Sequence, residues 1–215
     1  MWRQSSRVLF LLVVTCATNP VAGESVEYDI DAGASWVHVL VFKSGVLSGL
    51  GHNHVVAVTE LEGSFEAATE LRDSTGTIRF DVAELVVDDD ALRNELGDDF
   101  AGEVKEKDKQ GTRKNMLGPK LLDADNHELI EVEVRSLESL EDGWVVNASF
   151  VVRGQAFPFS VPATIAVDDN ALRASGEFEL SHGDIGLKPF SAAFGTLKVH
   201  PVMKIQYQVT AKPVR

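Results

Sequence analysis

Residues 144–165 read Trp144-Val145-Val146-Asn147-Ala148-Ser149-Phe150-Val151-Val152-Arg153-Gly154-Gln155-Ala156-Phe157-Pro158-Phe159-Ser160-Val161-Pro162-Ala163-Thr164-Ile165. Trp144, Val146, Ala148, Phe150 and Val152 occupy alternate positions. After a short link at Arg153-Gly154-Gln155 the alternation resumes with Phe157, Phe159, Val161, Ala163 and Ile165. A period of two sends successive side chains to opposite faces of a strand, so each half presents one apolar face to a core. The stretch predicts two consecutive strands. Pro158 and Pro162 share the opposite parity, and each removes a ladder donor, which predicts an edge or irregular strand there.

The same period recurs on both sides. Ile78, Phe80 and Val82 alternate with Arg79 and Asp81, and Ile130, Val132 and Val134 with Glu131, Glu133 and Arg135. Met203, Ile205, Tyr207 and Val209 repeat the pattern near the end of the chain. Helical signals are few. Asp88-Asp89-Asp90 suits the N-terminus of a short helix running through Leu96. Residues 101–116, with the charged run Glu103 to Lys114, read as a second, exposed helix or a loop. Many one-faced strands with little helix mean a closed barrel or a sandwich, and periodicity leaves the two open.

The 215 residues suit a single domain. The formal charge of −13, from 33 acids against 20 bases, argues against nucleic acid as a partner and disfavours electrostatic docking on anionic lipid, while leaving a neutral pocket open to a ligand. Cys16 is the only cysteine, so intrachain disulfides and cysteine-rich metal sites are excluded. Arg3 and Arg7 precede the apolar run Val8 to Val14, and Ala17, Ala22 and Gly23 follow it. A positive start, a short apolar core and small residues describe a secretory signal peptide at 1–23, leaving a domain at 24–215 that is periplasmic or secreted.

Tyr28-Asp29-Ile30-Asp31 with Ser35, and Leu61-Glu62-Gly63-Ser64-Phe65 with Gly76 to Asp81, resemble the opening and the early strands of the YceI-like family of exported lipid-binding barrels. Leu117-Gly118-Pro119-Lys120-Leu121-Leu122-Asp123 resembles the central signature, and Phe150 to Pro158 the later strand–glycine–strand unit. Phe178 to Gly186 and Gly195 to Val199 are similar to the closing strands. The resemblance spans roughly residues 26–211. His127-Glu128 and Arg153 depart from the family's usual residues.

The resemblance implies an all-β fold, an antiparallel lipocalin-like β-barrel of about eight strands with one or two short helices. It also implies that the interior receives a polyisoprenoid, quinone or similar long amphipathic chain, with no other cofactor and no catalysis. Phe80, Trp144, Phe150, Phe157, Phe159, Phe178 and Tyr207 are then the candidate lining, although the same residues could simply fill a core. Trp36, His38 and Leu40 interleave with Val37, Val39 and Val41, so that strand is apolar on both faces. One face is expected to line the cavity, taken here as that of Trp36, His38 and Leu40, while the other packs under the helix. Ile185 to Gly195, with Phe190 and Phe194, reads either as a lid at the barrel mouth or as packing across the barrel end.

Histidines supply the chemical alternative. His52 and His54 would share one face of a strand, as polar groups at the pocket rim or as two ligands of a metal or haem, with His182 or His200 as a third. No acid or cysteine cluster accompanies them, so no metal site is assigned. Ser181-His182-Gly183-Asp184 holds the residue types of a hydrolase triad, but no Gly-x-Ser-x-Gly elbow is present. The expected partners are the lipid, a membrane-associated donor or acceptor, and a second copy of the chain as a homodimer.

Overall fold

The computed structural model describes residues 25–214. The expected signal segment 1–23, with Cys16, lies outside the described residues. Seven strands come first: β1 (Ser25–Ile30), β2 (Trp36–Val41), β3 (Lys43–Ser44), β4 (His54–Val58), β5 (Glu62–Ala68), β6 (Thr75–Asp81) and β7 (Val86–Val87). Two helices follow, α1 (Asp90–Glu95) and α2 (Glu106–Leu117). The remaining strands are β8 (Leu129–Leu140), β9 (Gly143–Val152), β10 (Gln155–Val167), β11 (Leu172–Ser181), β12 (Ser191–Ala192), β13 (Leu197–Val199) and β14 (Val202–Pro213).

Hydrogen bonding runs β1-β5-β6-β8-β9-β10-β11-β14, and β14 returns to β1. The result is a closed antiparallel barrel of eight strands, which decides between barrel and sandwich. β14 pairs with β1 through Ala211–Pro213 and with β2 through Lys204–Gln208. One long strand therefore closes the barrel at one end and carries the extension β2-β4-β7 at the other. β3, β12 and β13 form a separate small sheet where β2 ends and β14 begins.

β9 and β10 pair with Trp144 opposite Ala163 and Phe150 opposite Phe157. Their link is two residues, Arg153 and Gly154, at φ 52° and 71°. Two positive φ values give a turn whose twist matches that of the strands, and glycine adopts it without strain. β10 pairs with β9 along its first half but with β11 only through Thr164–Val167. The half that carries Pro158 and Pro162 is thus an edge on its β11 side, as missing donors require.

Asp89 is the N-cap of α1, accepting from Leu92 N at 3.0 Å. α2 differs from the solvated helix or loop expected of its charges. Thr112, Asn115 and Met116 face the barrel interior, and Met116 and Leu117 pack on the main core. The sparse apolar residues of α2 sit at its C-terminal end, where the helix meets that core. The core gathers Val56, Val58, Leu61, Val82, Leu85, Val152 and Val209, and each aliphatic side chain so buried contributes about 1.5–3 kcal/mol. Gly76 leaves room for the ring of Phe65, since a Cβ there would lie 2.2 Å from it.

Candidate functional site

The inward faces of the barrel strands do not meet. They enclose a cavity of about 360 Å³, within the usual range for small-molecule sites. Val37, Val39 and Val41 of β2, Ile130, Val132 and Val134 of β8, and Val146, Ala148 and Phe150 of β9 form much of its wall. Leu71, Leu137 and Leu172 lie at one end, and Val41, His54, Phe190 and Val199 at the other. Polar lining residues are few: His54, Ser74, Thr75, Thr112, Asn115, His182 and Tyr207. Tyr207 donates to Pro162 O at 2.7 Å, and burial pushes its phenol up to about 12. The group thus stays a neutral donor across the ordinary pH range.

Of the aromatic residues named from the sequence, Phe80, Phe150, Phe178, Phe190 and Tyr207 line the cavity. Phe159 has the inward parity of β10, opposite Ala148, and packs on the lining aromatics, its ring 5.4 Å from that of Phe150 and 5.3 Å from that of Phe178. Phe157 packs on the main core against Gly186, where a Cβ would lie 2.7 Å from the ring. Trp144 shares the inward parity of β9 but falls beyond the lining residues.

Trp36, His38 and Leu40 are on the wrong face. The valines of β2 take the interior, while Leu40 packs outside with Val55, Phe100, Leu92 and Leu96. The ring of His38 stacks on Trp36 at 4.2 Å, and burial pulls its imidazole below the ordinary value despite the nearby Glu95. The helix α1 and the Phe100 loop cover this outer face, which is why both parities are apolar. Phe194 is no lid residue either. Its side chain is in solvent, with the backbone at φ 55°.

The histidine pair divides. His54 lines the main cavity, whereas His52 lines only a smaller pocket beside it. His54 Nδ1 lies 2.6 Å from Asp88 Oδ2, and Arg93 Nη1 reaches Asp88 Oδ1 at 2.7 Å and Asn53 O at 2.8 Å. Val55 N also donates to Asp88 Oδ1, at 3.0 Å, and Asp88 N donates to Val55 O. Asp88 is 0% exposed at φ 56°, a sparsely populated conformation for a non-glycine residue that these contacts over-determine. Burial alone would raise its carboxyl, but the bonds to His54, Val55 and Arg93 outweigh burial and hold it below the ordinary value.

A carboxylate accepts only, so Nδ1 of His54 carries the proton and Nε2 is left as the ring's second polar atom. Sequence reasoning assigned Asp88 to the helix cap and did not find Arg93. Nothing local links them to His54, because 34 residues separate the histidine from its acid.

Among the described residues, no group of three His, Cys, Asp or Glu side chains converges to hold a metal ion. His182 Nδ1 bonds Pro201 O and His200 Nδ1 bonds the backbone of Val202, so each has local work. Ser181 and Asp184 form a capping box around the turn His182–Ile185 rather than a triad.

A family profile described as the YceI-like domain matches residues 28–211. Among solved structures, Burkholderia cenocepacia BcnA superposes with a TM-score of 0.61 at 14% identity, covering 86% of this chain and 100% of that one. A mutant of the Campylobacter jejuni YceI protein, crystallised with a monobromobimane guest, gives a TM-score of 0.52 at 7% identity over 74% of this chain and 85% of that one. No curated protein matches. At such identities the likeness carries the fold, a closed antiparallel barrel with two helices.

Proposed function

The chain belongs to the YceI-like family, and from that premise we propose that it is an exported lipid-binding protein, acting by binding rather than catalysis. It holds a polyisoprenoid, quinone or similar long amphipathic chain in the barrel interior. The observation that supports this reading is the cavity itself, a void of about 360 Å³ walled by branched aliphatic and aromatic side chains. An apolar chain moved there from water gains roughly 25 cal/mol per Å² of buried surface, and no catalytic group is needed. Phe80, Phe150 and Phe178 supply aromatic wall, and His54, fixed by Asp88, receives the polar end of the ligand. The segment 1–23 directs the protein to the periplasm or outside the cell.

The test is extraction of the purified exported protein with organic solvent, followed by mass spectrometry. A long-chain isoprenoid or quinone-like lipid near one equivalent is expected, with a mature N-terminus near Glu24 or Ser25. A protein that yields no lipid and takes none up from dispersions would overturn the reading.

A further inference from the structure

Four apolar side chains stand exposed on two loops beside the small sheet: Val46 at 92%, Leu50 at 76%, Phe194 at 111%, and Leu47. The loops touch. Leu47 N donates to Thr196 O at 3.0 Å, and Gly45 lies so close that a Cβ there would be 2.6 Å from the same oxygen. Phe194 adopts a left-handed backbone, φ 55° and ψ 32°, with its ring in solvent. A bulky residue in that conformation is strained, and its exposed ring adds a second penalty, so the arrangement suits a surface that is covered in use.

Charge is segregated around the same loops. The chain has 33 acids, yet none occurs from Lys43 to Thr59 or from Ile185 to His200, stretches bordered by Glu60 and Asp184. Those segments carry Lys43, Lys188 and Lys198 with His52, His54 and His200. The nearest acidic loop joins this cap where Asn53 Nδ2 donates to Asp99 O, bringing Asp98 and Asp99 to its side. A net charge of −13 does not forbid local attraction, because screening confines each charge to a Debye length of about 8–10 Å.

The cap also adjoins the lipid cavity. A pocket of about 80 Å³ that includes His52 and Lys198 shares Val41, His54, Phe190 and Val199 with the main cavity. We propose that this face docks on an anionic lipid bilayer. Val46, Leu50 and Phe194 enter the boundary between headgroups and acyl chains, and Lys43 and Lys198, which lie against the two loops, meet the phosphates. The cavity end at His54 is then held against the membrane.

Co-sedimentation with phosphatidylglycerol–phosphatidylethanolamine vesicles tests this, with phosphatidylcholine vesicles as the neutral comparison. The full chain is expected to bind the anionic vesicles, less so as salt rises. The triple variant Val46→Ser, Leu50→Ser, Phe194→Ser should bind at least about tenfold more weakly, since three inserted apolar groups are lost. Its thermal midpoint and extractable lipid should match wild type, because all three side chains are in solvent. Absence of wild-type binding, equal binding to neutral vesicles, or an undiminished variant would each overturn the proposal. So would a dimer that the triple variant dissociates while vesicles are ignored, since the patch would then face a second copy. A wild type that carries lipid but ignores vesicles sinks the docking alone and leaves the lipid-binding reading standing.

Discussion

His54 Nδ1 lies 2.6 Å from Asp88 Oδ2, which makes a residue on the cavity wall the partner of a fully buried acid on the connection into α1. The second oxygen of Asp88 is shared by Arg93 Nη1 and the Val55 amide. One carboxylate thus fixes the imidazole ring, compensates a buried guanidinium and ties β4 to the segment ahead of α1.

Asp88→Asn should therefore destabilise the fold strongly. The amide leaves Arg93 as a buried charge without a counter-ion, and breaking one side of a buried pair costs about 3–5 kcal/mol. Chemical denaturation measures this directly. The double variant Asp88→Asn with Arg93→Met, which removes the stranded charge, should recover part of the loss. A single variant within about 0.5 kcal/mol of wild type would show that the network is incidental.

The acid limb of stability has a definite sign. The Asp88 carboxyl is held below its ordinary value, so its contribution is present above the unfolded-state value near 4 and is lost as pH falls through the folded one. His38 and His52 are lowered chiefly by burial, so the unfolded chain binds their protons first and stability begins to fall below about pH 6.5. A two-stage decline is expected when denaturation midpoints are followed from pH 8 to pH 3. His38→Gln should flatten the upper stage only. An unchanged upper stage in that variant would remove His38 from the account.

Ala148→Phe distinguishes a void from a filled core. Ala148 faces the cavity from the middle of β9, opposite Val134 of β8 and Phe159 of β10. In a packed interior the added ring would cost about 1–3 kcal/mol of strain. Here it has space to occupy, so the thermal midpoint should hold or rise while uptake of a long isoprenoid is lost. Retained uptake with an unchanged β circular dichroism spectrum would place the ligand elsewhere.

The strands were legible because alternation is a local property: Phe150 and Phe157 declare their faces within a few residues. The face of β2 was not, because Trp36-Val37-His38-Val39-Leu40-Val41 is apolar at both parities. Only the later chain, through α1 and Phe100, determines which parity is covered outside and leaves the valines to the cavity. Asp88 hid for a related reason. In a run of three aspartates before a helix, capping explains all of them equally well, and the one that pairs with His54 is distinguished only by burial. α2 looked solvated because its contacts come from residues near one end, Thr112, Asn115 and Met116, too sparse to give a periodic stripe.

The two histidines should behave differently toward a ligand, although the sequence presents them as a pair. Only His54 reaches the main cavity, and its Nε2 accepts from a hydroxyl when the ring is neutral and donates when it is protonated. His52 sits 6.4 Å away, ring to ring, over the smaller pocket. Binding of a long-chain prenol and of the matching hydrocarbon, measured by fluorescence displacement, separates the roles. His54→Gln should weaken the prenol by about 1–3 kcal/mol, the range for a lost hydrogen bond to a buried polar group, and leave the hydrocarbon unchanged. His52→Gln should alter neither. Equal losses for both ligands in the His54 variant would mean that the ring shapes the cavity without reading the polar end, and an effect confined to His52 would move that end into the smaller pocket.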